Sequence, residues 1–273
     1  MNKCYKLKEL MKKYMMMAVL MTAAVCASAQ SKPEPYFSFR ELPNMLKWCP
    51  APPDTVGAAF AYDIMQYMWG KEMRKDSVRG PIAVRDAVYS LECIAQEFSE
   101  PFGLKISEEE TPEIWKLLRD AKATCENISG FPKFFYKRKR PFMRFQEPTA
   151  TPQFEPDLRR NYSYPSGHTI LGWASALWLT EINPERADTI PKRGMMYGES
   201  RVIVGAHWQS DVDAGRLAAA AAYARMHTSE RFLEQMRLAQ QEFRCKAGLA
   251  TIIEMKAYRK AQEKARLKKK ASK

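Results

Sequence analysis

Only three histidines occur in the 273 residues, His168, His207 and His227. That is too few for a histidine-built metal centre once two of them carry other chemistry. The six cysteines stand too far apart and too irregularly for a zinc pattern. The 12 glycines form no phosphate-cradling nucleotide loop, so the common nucleotide-binding signatures are excluded. Beyond residue 29 no stretch approaches 18 consecutive apolar residues, and no membrane-spanning helix is expected there. Period-two alternation is also missing, which argues against a sheet, and there is no internal repeat.

Acidic residues are outnumbered, 31 against 44 Lys and Arg, for a net charge of +13. The excess sits at the two ends. Residues 1–29 read as a cleaved signal peptide. Lys3, Lys6, Lys8, Lys12 and Lys13 make a positive start, Met15 to Val25 is apolar, and Ala27-Ser28-Ala29 offers a cleavage site before Gln30. An apolar run that short does not easily cross about 30 Å of hydrocarbon, and bulky Val25 disfavours lipid attachment at Cys26. The expected location is the periplasm. Without the leader the charge is +9, and residues 246–273 hold +8 of it, with ten Lys or Arg against two Glu. A nearly neutral body excludes a nucleic-acid-binding core, which needs a basic face on the folded domain. The tail reads as a solvated basic helix able to touch anionic lipid or polymer. Cys49, Cys93, Cys125 and Cys245 survive the leader, and an even number in an exported chain predicts at least one disulfide, with three connectivities open.

The rest reads as helix. Residues 30–53 are a Pro-rich connector expected to run extended over the surface. After Asp54, the residues Phe60, Ile64, Tyr67 and Met68 share a helical face, and Gly70 is expected to end the segment. From Pro81, the positions Val84, Val88, Leu91, Ala95 and Phe98 repeat the pattern. Thr111-Pro112-Glu113 opens another helix, with Ile114, Leu117, Leu118 and Ala121 as its apolar face. Residues 146–157 carry Pro148, Pro152 and Pro156 without a period and are expected to loop over the site. A strongly apolar helix follows His168, a short one starts at Asn183-Pro184, and residues 217–226 are Ala-rich. Phe232, Met236, Ala239 and Phe243 line one more helix. The expectation is an all-α, single-domain helical bundle over residues 54–245, followed by a basic helical tail at 246–273.

Three stretches carry chemistry. Asn161-Tyr-Ser-Tyr-Pro165-Ser166-Gly167-His168-Thr169 has the small residues and hydroxyl of an anion-binding turn at a helix start. Upstream stands Lys133-Phe-Phe-Tyr-Lys-Arg-Lys-Arg140-Pro141, and downstream Ser200-Arg201-Val-Ile-Val-Gly-Ala-His207-Trp-Gln-Ser-Asp211. In order they read K-x6-R-P, P-S-G-H and S-R-x5-H-x3-D. This resembles the signature of the superfamily that joins bacterial class A non-specific acid phosphatases, type 2 phosphatidic acid phosphatases and vanadium haloperoxidases. The surroundings, such as Gly172-Trp173-Ala174 and Pro184-Glu-Arg-Ala187, resemble the soluble class A enzymes in particular. A match of all the specified positions by chance is about one in 10^9.

The resemblance implies an acid phosphatase acting on small phosphate monoesters, and since the sequence leaves no metal-ligand set, a reaction without metal or other cofactor is expected. By it Lys133, Arg140, Ser166, Gly167 and Arg201 form the phosphate-binding set. Phosphoryl transfer needs that set, since its transition state spreads negative charge over three oxygens. Asp211, four residues after His207 and so expected on the same helix face, is placed to orient it as a nucleophile, and His168 suits the general acid. Lys137, Arg138 and Lys139 offer another register for a cation but read as solvated, and His227 has no motif partner. A vanadium haloperoxidase, a phosphotransferase and a non-catalytic phosphate-binding protein are the competing readings; homo-oligomerisation stays open.

Overall fold

The structure is a computed structural model describing residues 32–271; the expected signal peptide, residues 1–29, lies outside the described residues. Among the described residues there is no strand, and no helix is long and apolar enough to cross a membrane. From Glu34 onward the chain is one compact all-α unit.

Its α-helices, in chain order, are α1 (Ala58–Met73), α2 (Arg79–Arg85), α3 (Leu91–Phe102), α4 (Pro112–Tyr136), α5 (Pro141–Phe145), α6 (Glu155–Arg160), α7 (Gly167–Ile182), α8 (Thr189–Ile203), α9 (Gln209–Met226), α10 (Glu230–Lys246) and α11 (Ile252–Ala271). The apolar α7 is central and packs most extensively on α8 and α9, burying Ile170, Leu171, Trp178 and Leu179. Local sequence sets the boundaries. Ser90 Oγ accepts from the Cys93 N–H to start α3, and Gly103, at φ 83°, ends it. Pro112 leads α4, whose expected face of Ile114, Leu117, Leu118 and Ala121 is buried. Ser229 caps α10, with Phe232, Met236, Ala239 and Phe243 turned inward.

Glu242 ties three helices together. Its Oε2 accepts the Glu113 and Ile114 N–H groups at the start of α4, at 3.0 and 2.9 Å, where the helix dipole favours negative charge. Its Oε1 accepts the Tyr258 hydroxyl of α11 at 2.9 Å. Burial pushes this carboxyl up to about 7.

Four expectations need correcting. Residues 34–53 do not merely run over the surface. Tyr36, Leu42, Met45 and Cys49 enter the core, Met45–Lys47 is a 3-10 turn, and the Tyr36 N–H donates to Thr124 Oγ1 at 2.8 Å. Gly70 does not end its helix; α1 continues to Met73 and uses the glycine to cross α8 closely. The periodicity from Val84 to Phe98 spans two helices, because the chain breaks at Asp86–Ser90, and Val84 and Val88 are exposed. Among the described residues there is no disulfide. Cys93, Cys125 and Cys245 stand on three different helices and Cys49 in the segment before α1, all four free. Cys49 meets the Tyr164 hydroxyl at 3.5 Å and Cys93 donates to the Arg85 carbonyl at 3.4 Å. Burial raises the Cys125 thiol and pushes Cys93 up to about 11, the state of an inert thiol.

Gly70→Ala tests the close crossing. A methyl group there would lie 2.7 Å from the Val202 carbonyl oxygen and 3.2 Å from Ile203 Cα, both backbone atoms that cannot turn aside. Alanine gains about 1 kcal/mol of helix propensity, but overpacking costs roughly 1–3 kcal/mol, so chemical denaturation should show a net loss of stability.

Candidate active site

One cavity of about 510 Å³ gathers the three motifs. Lys133 comes from the last turn of α4, which ends as Lys137 takes a left-handed φ of 48°. Arg140 is the N-cap of α5, Gly167 and His168 open α7, Arg201 lies near the end of α8, and His207 stands between α8 and α9. Phe154, Asp157, Leu158 and Asn161 form another wall, so the Pro-rich segment does reach the site, coiled partly into a 3-10 turn and α6 rather than wholly irregular. Ser166 does not line the cavity. Its Oγ caps α7, accepting from Thr169 N–H at 3.3 Å and from Thr169 Oγ1 at 2.9 Å. Both bonds are accepted, so the Ser166 proton stays available. A Cβ on Gly167 would meet nothing within 4 Å, which leaves open room beside the first amides of α7.

The electrostatics are those of a site built for an anion. Lys133 is half-buried, and Arg140 and Arg201 are only 2% and 1% exposed. Burial, then mutual repulsion, pushes Arg140 down to about 9 and Lys133 well below its ordinary value; burial brings Arg201 to about 10. Backbone carbonyls hold two of these cations. Arg140 donates from Nε to Leu158 and Asn161, both at 3.0 Å, and from NH1 to Ala206 at 2.9 Å, while Lys133 Nζ donates to Tyr162 at 2.8 Å. Arg201 Nε and NH1 are buried with no hydrogen-bond partner, an arrangement that costs free energy unless an acceptor enters.

His207 lies against Arg140, whose NH1 donates to Nε2 at 2.9 Å. Its Nδ1 faces Asp211 Oδ2 at 3.3 Å. The pair does not share a helix face as the spacing suggests. His207 precedes the Trp208 N-cap, and Asp211 reaches back from the first turn of α9 to accept the Trp208 N–H at 2.8 Å. His168 Nε2 meets the Ala87 carbonyl at 3.1 Å, and its ring lies 4.8 Å from that of Tyr89. A carbonyl can only accept, so Nε2 carries a proton and Nδ1 is left for other chemistry. Burial comes first, and nearby cations add to it, in pushing both histidines well below 6.5.

Sequence reasoning missed several of these groups. Ala87 and Tyr89 belong to the break between α2 and α3, and nothing local marks them. Ser163 Oγ donates to Asp211 Oδ2, and Arg138, expected in solvent, is buried against Asp211 and Asp63. His227 packs away from the cavity, with Nε2 3.0 Å from Glu181 Oε2.

An all-α body holding these motifs around one cationic cavity defines the PAP2 superfamily, whose family model matches residues 121–233. A non-specific acid phosphatase of Salmonella typhimurium is 38% identical over 242 residues, 87% of this chain and 94% of that protein. One of Providencia stuartii is 41% identical over 215 residues, 78% of this chain and 86% of that protein. An acid phosphatase of Zymomonas mobilis is 33% identical over 214 residues, 78% and 80% of the two chains. The chain belongs to the class A non-specific acid phosphatases of the PAP2 superfamily, and it is a phosphatase.

Two consequences can be measured on the phosphate-free protein. Inorganic phosphate should stabilise it by about 2.7 kcal/mol at a hundred times its dissociation constant. Arg201→Met should be at least as stable when empty, having lost a buried unpaired cation, and should lose most of that phosphate response in thermal melts. The second consequence concerns pH. His168 and His207 stay neutral when folded but take up protons near 6.5 when unfolded. The unfolded state therefore binds more protons as pH falls, and stability should decrease through that range by up to about 1.4 kcal/mol per pH unit for each histidine. Glu242, raised to about 7 when folded, titrates the other way in this window, so denaturant titrations at pH 7.5 and 5.5 on wild type and on His168→Gln and His207→Gln check the sign, each variant losing less on acidification.

Proposed function

We propose that the protein is an exported, metal-independent acid phosphatase that hydrolyses small phosphate monoesters through a covalent phosphohistidine. The observation that carries this reading is the cavity itself, where three cations, one of them with unpaired buried N–H groups, surround a histidine backed by a carboxylate. The names of its relatives support the reaction class. We assign the catalytic body to residues 54–245, with 34–53 packed on it and 246–273 as a basic appendage. Export rests on the leader-like residues 1–29, with the periplasm as destination.

Lys133, Arg140, Arg201 and the Gly167 amide hold the substrate phosphate, and Ser166, which does not line the cavity, fixes the start of α7 behind them as its cap. Arg140 NH1 then turns from His207 Nε2 to a phosphate oxygen, which frees the nitrogen lone pair. Nε2 attacks phosphorus, the ester P–O bond breaks, and the departing alkoxide takes a proton from His168 Nδ1. Asp211 holds the proton on His207 Nδ1 throughout, so the lone pair stays on Nε2. In the second half His168 takes a proton from water, the hydroxide attacks phosphorus, and the P–N bond breaks to release inorganic phosphate. Three protein cations meet the developing charge, the task a divalent ion performs elsewhere.

The two histidines separate by experiment. After brief exposure to a labelled phosphate donor and an alkaline denaturing quench, wild type should carry an acid-labile, alkali-stable label and His207→Ala none. His168→Ala should still label, and should lose about 10^2- to 10^4-fold in rate with alkyl phosphates but far less with aryl phosphates whose phenols are acidic. Normal labelling of His207→Ala alongside an unlabelled His168→Ala reverses the roles. Activity should persist in EDTA, and loss restored by a divalent cation would defeat the metal-free mechanism.

A further inference from the structure

Between the exposed Lys137 and Lys139 stands an arginine of different character. The Arg138 side chain is only 9% exposed, and it lines no part of the cavity. Its NH1 donates to Asp211 Oδ1 at 2.6 Å and to Ser210 Oγ at 2.7 Å, and its NH2 donates to Asp63 Oδ2 at 2.6 Å. Asp63, on α1, is fully buried. It also accepts the Ser210 N–H at 2.8 Å and the Ser210 hydroxyl at 2.6 Å, which joins α1 to the start of α9. The guanidinium carbon lies 5.6 Å from the Trp208 ring centroid, and the Arg138 carbonyl accepts the Ser163 N–H at 3.0 Å.

We infer that Arg138, clamped by Asp63, is a positioning residue for phosphoryl transfer: it holds Asp211 through Oδ1 so that Oδ2 faces His207 Nδ1 and keeps Nε2 unprotonated toward the phosphate. This rests on the reading of His207 as nucleophile. Asp211 Oδ2 receives donors from Ser163, Trp208 and His207, while Arg138 engages the other oxygen. With both oxygens engaged the carboxylate cannot rotate. The charge matters as much as the geometry. A buried carboxylate without a cation tends to take up a proton. A protonated Asp211 would donate to Nδ1, the imidazole proton would move to Nε2, and the attacking lone pair would be lost. Asp63 supplies the second carboxylate that a guanidinium fork can grip, which stops Arg138 from swinging toward the phosphate-binding cations.

The test uses the full chain and the variants Arg138→Met, Arg138→Lys and Asp63→Asn. Arg138→Met should lower kcat on p-nitrophenyl phosphate about 10- to 100-fold, the size usual for partners one shell behind a functional histidine. KM and inhibition by inorganic phosphate should move by less than about threefold, because Arg138 does not touch the ligand. With three histidines in the chain, the 15N spectrum resolves tautomers directly. His207 should pass from a proton on Nδ1 to a mixture. Arg138→Lys should recover part of kcat, and Asp63→Asn should show the same pattern more weakly. The inference is overturned by a kcat within twofold of wild type. It is equally overturned if kcat and phosphate binding are lost in proportion with the tautomer unchanged, which marks a purely structural role. If Arg138→Met does not fold, Asp63→Asn decides, and an unchanged kcat and tautomer there sinks the idea. An error about the nucleophile appears separately, as a phosphoenzyme label surviving in His207→Ala.

Discussion

Lys133, Arg140 and Arg201 repel one another inside a cavity that strips them of water, and the surrounding architecture counters that repulsion with fixed dipoles. Carbonyls of Leu158, Asn161, Tyr162 and Ala206 point at two of the cations. Partial charges of this kind hold a cation in place without neutralising it, so attraction for an entering anion is preserved. Asp211, the carboxylate behind His207, is spent on His207 and Arg138. A carboxylate turned toward Arg201 would fill its open donors and compete with substrate.

The same economy places the break between α2 and α3. Asp86 is fully buried there. It accepts from Arg193 NH1 at 3.1 Å and from Ser200 Oγ at 2.7 Å, which fixes the turn of α8 that presents Arg201. The next residue, Ala87, turns its carbonyl to His168. Two adjacent residues thus hold the α8 turn that carries Arg201 and set the tautomer of His168. A continuous helix through 86–90 would use the Ala87 carbonyl within its own ladder, which is why the apolar periodicity gives way at this point.

Helix faces and the motif residues were legible because both depend on local spacing. The face of α4 follows from Ile114, Leu117, Leu118 and Ala121, and the cap at Ser166 from a small polar residue before an apolar run. What local spacing does not carry is pairing at a distance. Arg138 looks like one more member of a basic run, and only Asp63, 75 residues earlier, reveals that it is buried. His207 and Asp211 suggested a shared helix face, whereas the helix begins between them and the carboxylate doubles as its N-terminal cap. The cysteine count suggested a disulfide, yet four separate free thiols, two of them buried, are the outcome, since parity carries no distance. Gly70 read as a stop because glycine weakens a helix, while the missing side chain serves a crossing that only the tertiary arrangement defines.

The depressed histidines give the reaction an order. Burial, helped by Arg201 and Arg140, holds His168 well below its ordinary value and therefore neutral, a state in which it cannot act as the proposed general acid. A phosphate monoester brings negative charge to the centre of those cations, offsets their field at His168 and makes its protonated form accessible. Substrate binding and charging of the acid are therefore coupled, and each favours the other. Low pH supplies the proton and the substrate supplies the field that retains it. His207 stands in the same field but has Asp211 on its Nδ1 side, so on the proposed mechanism the charge that arms His168 as acid need not disarm His207 as nucleophile. The asymmetry between the two imidazoles lies in what each meets behind the cavity, a neutral carbonyl for His168 and a carboxylate held by Arg138 for His207.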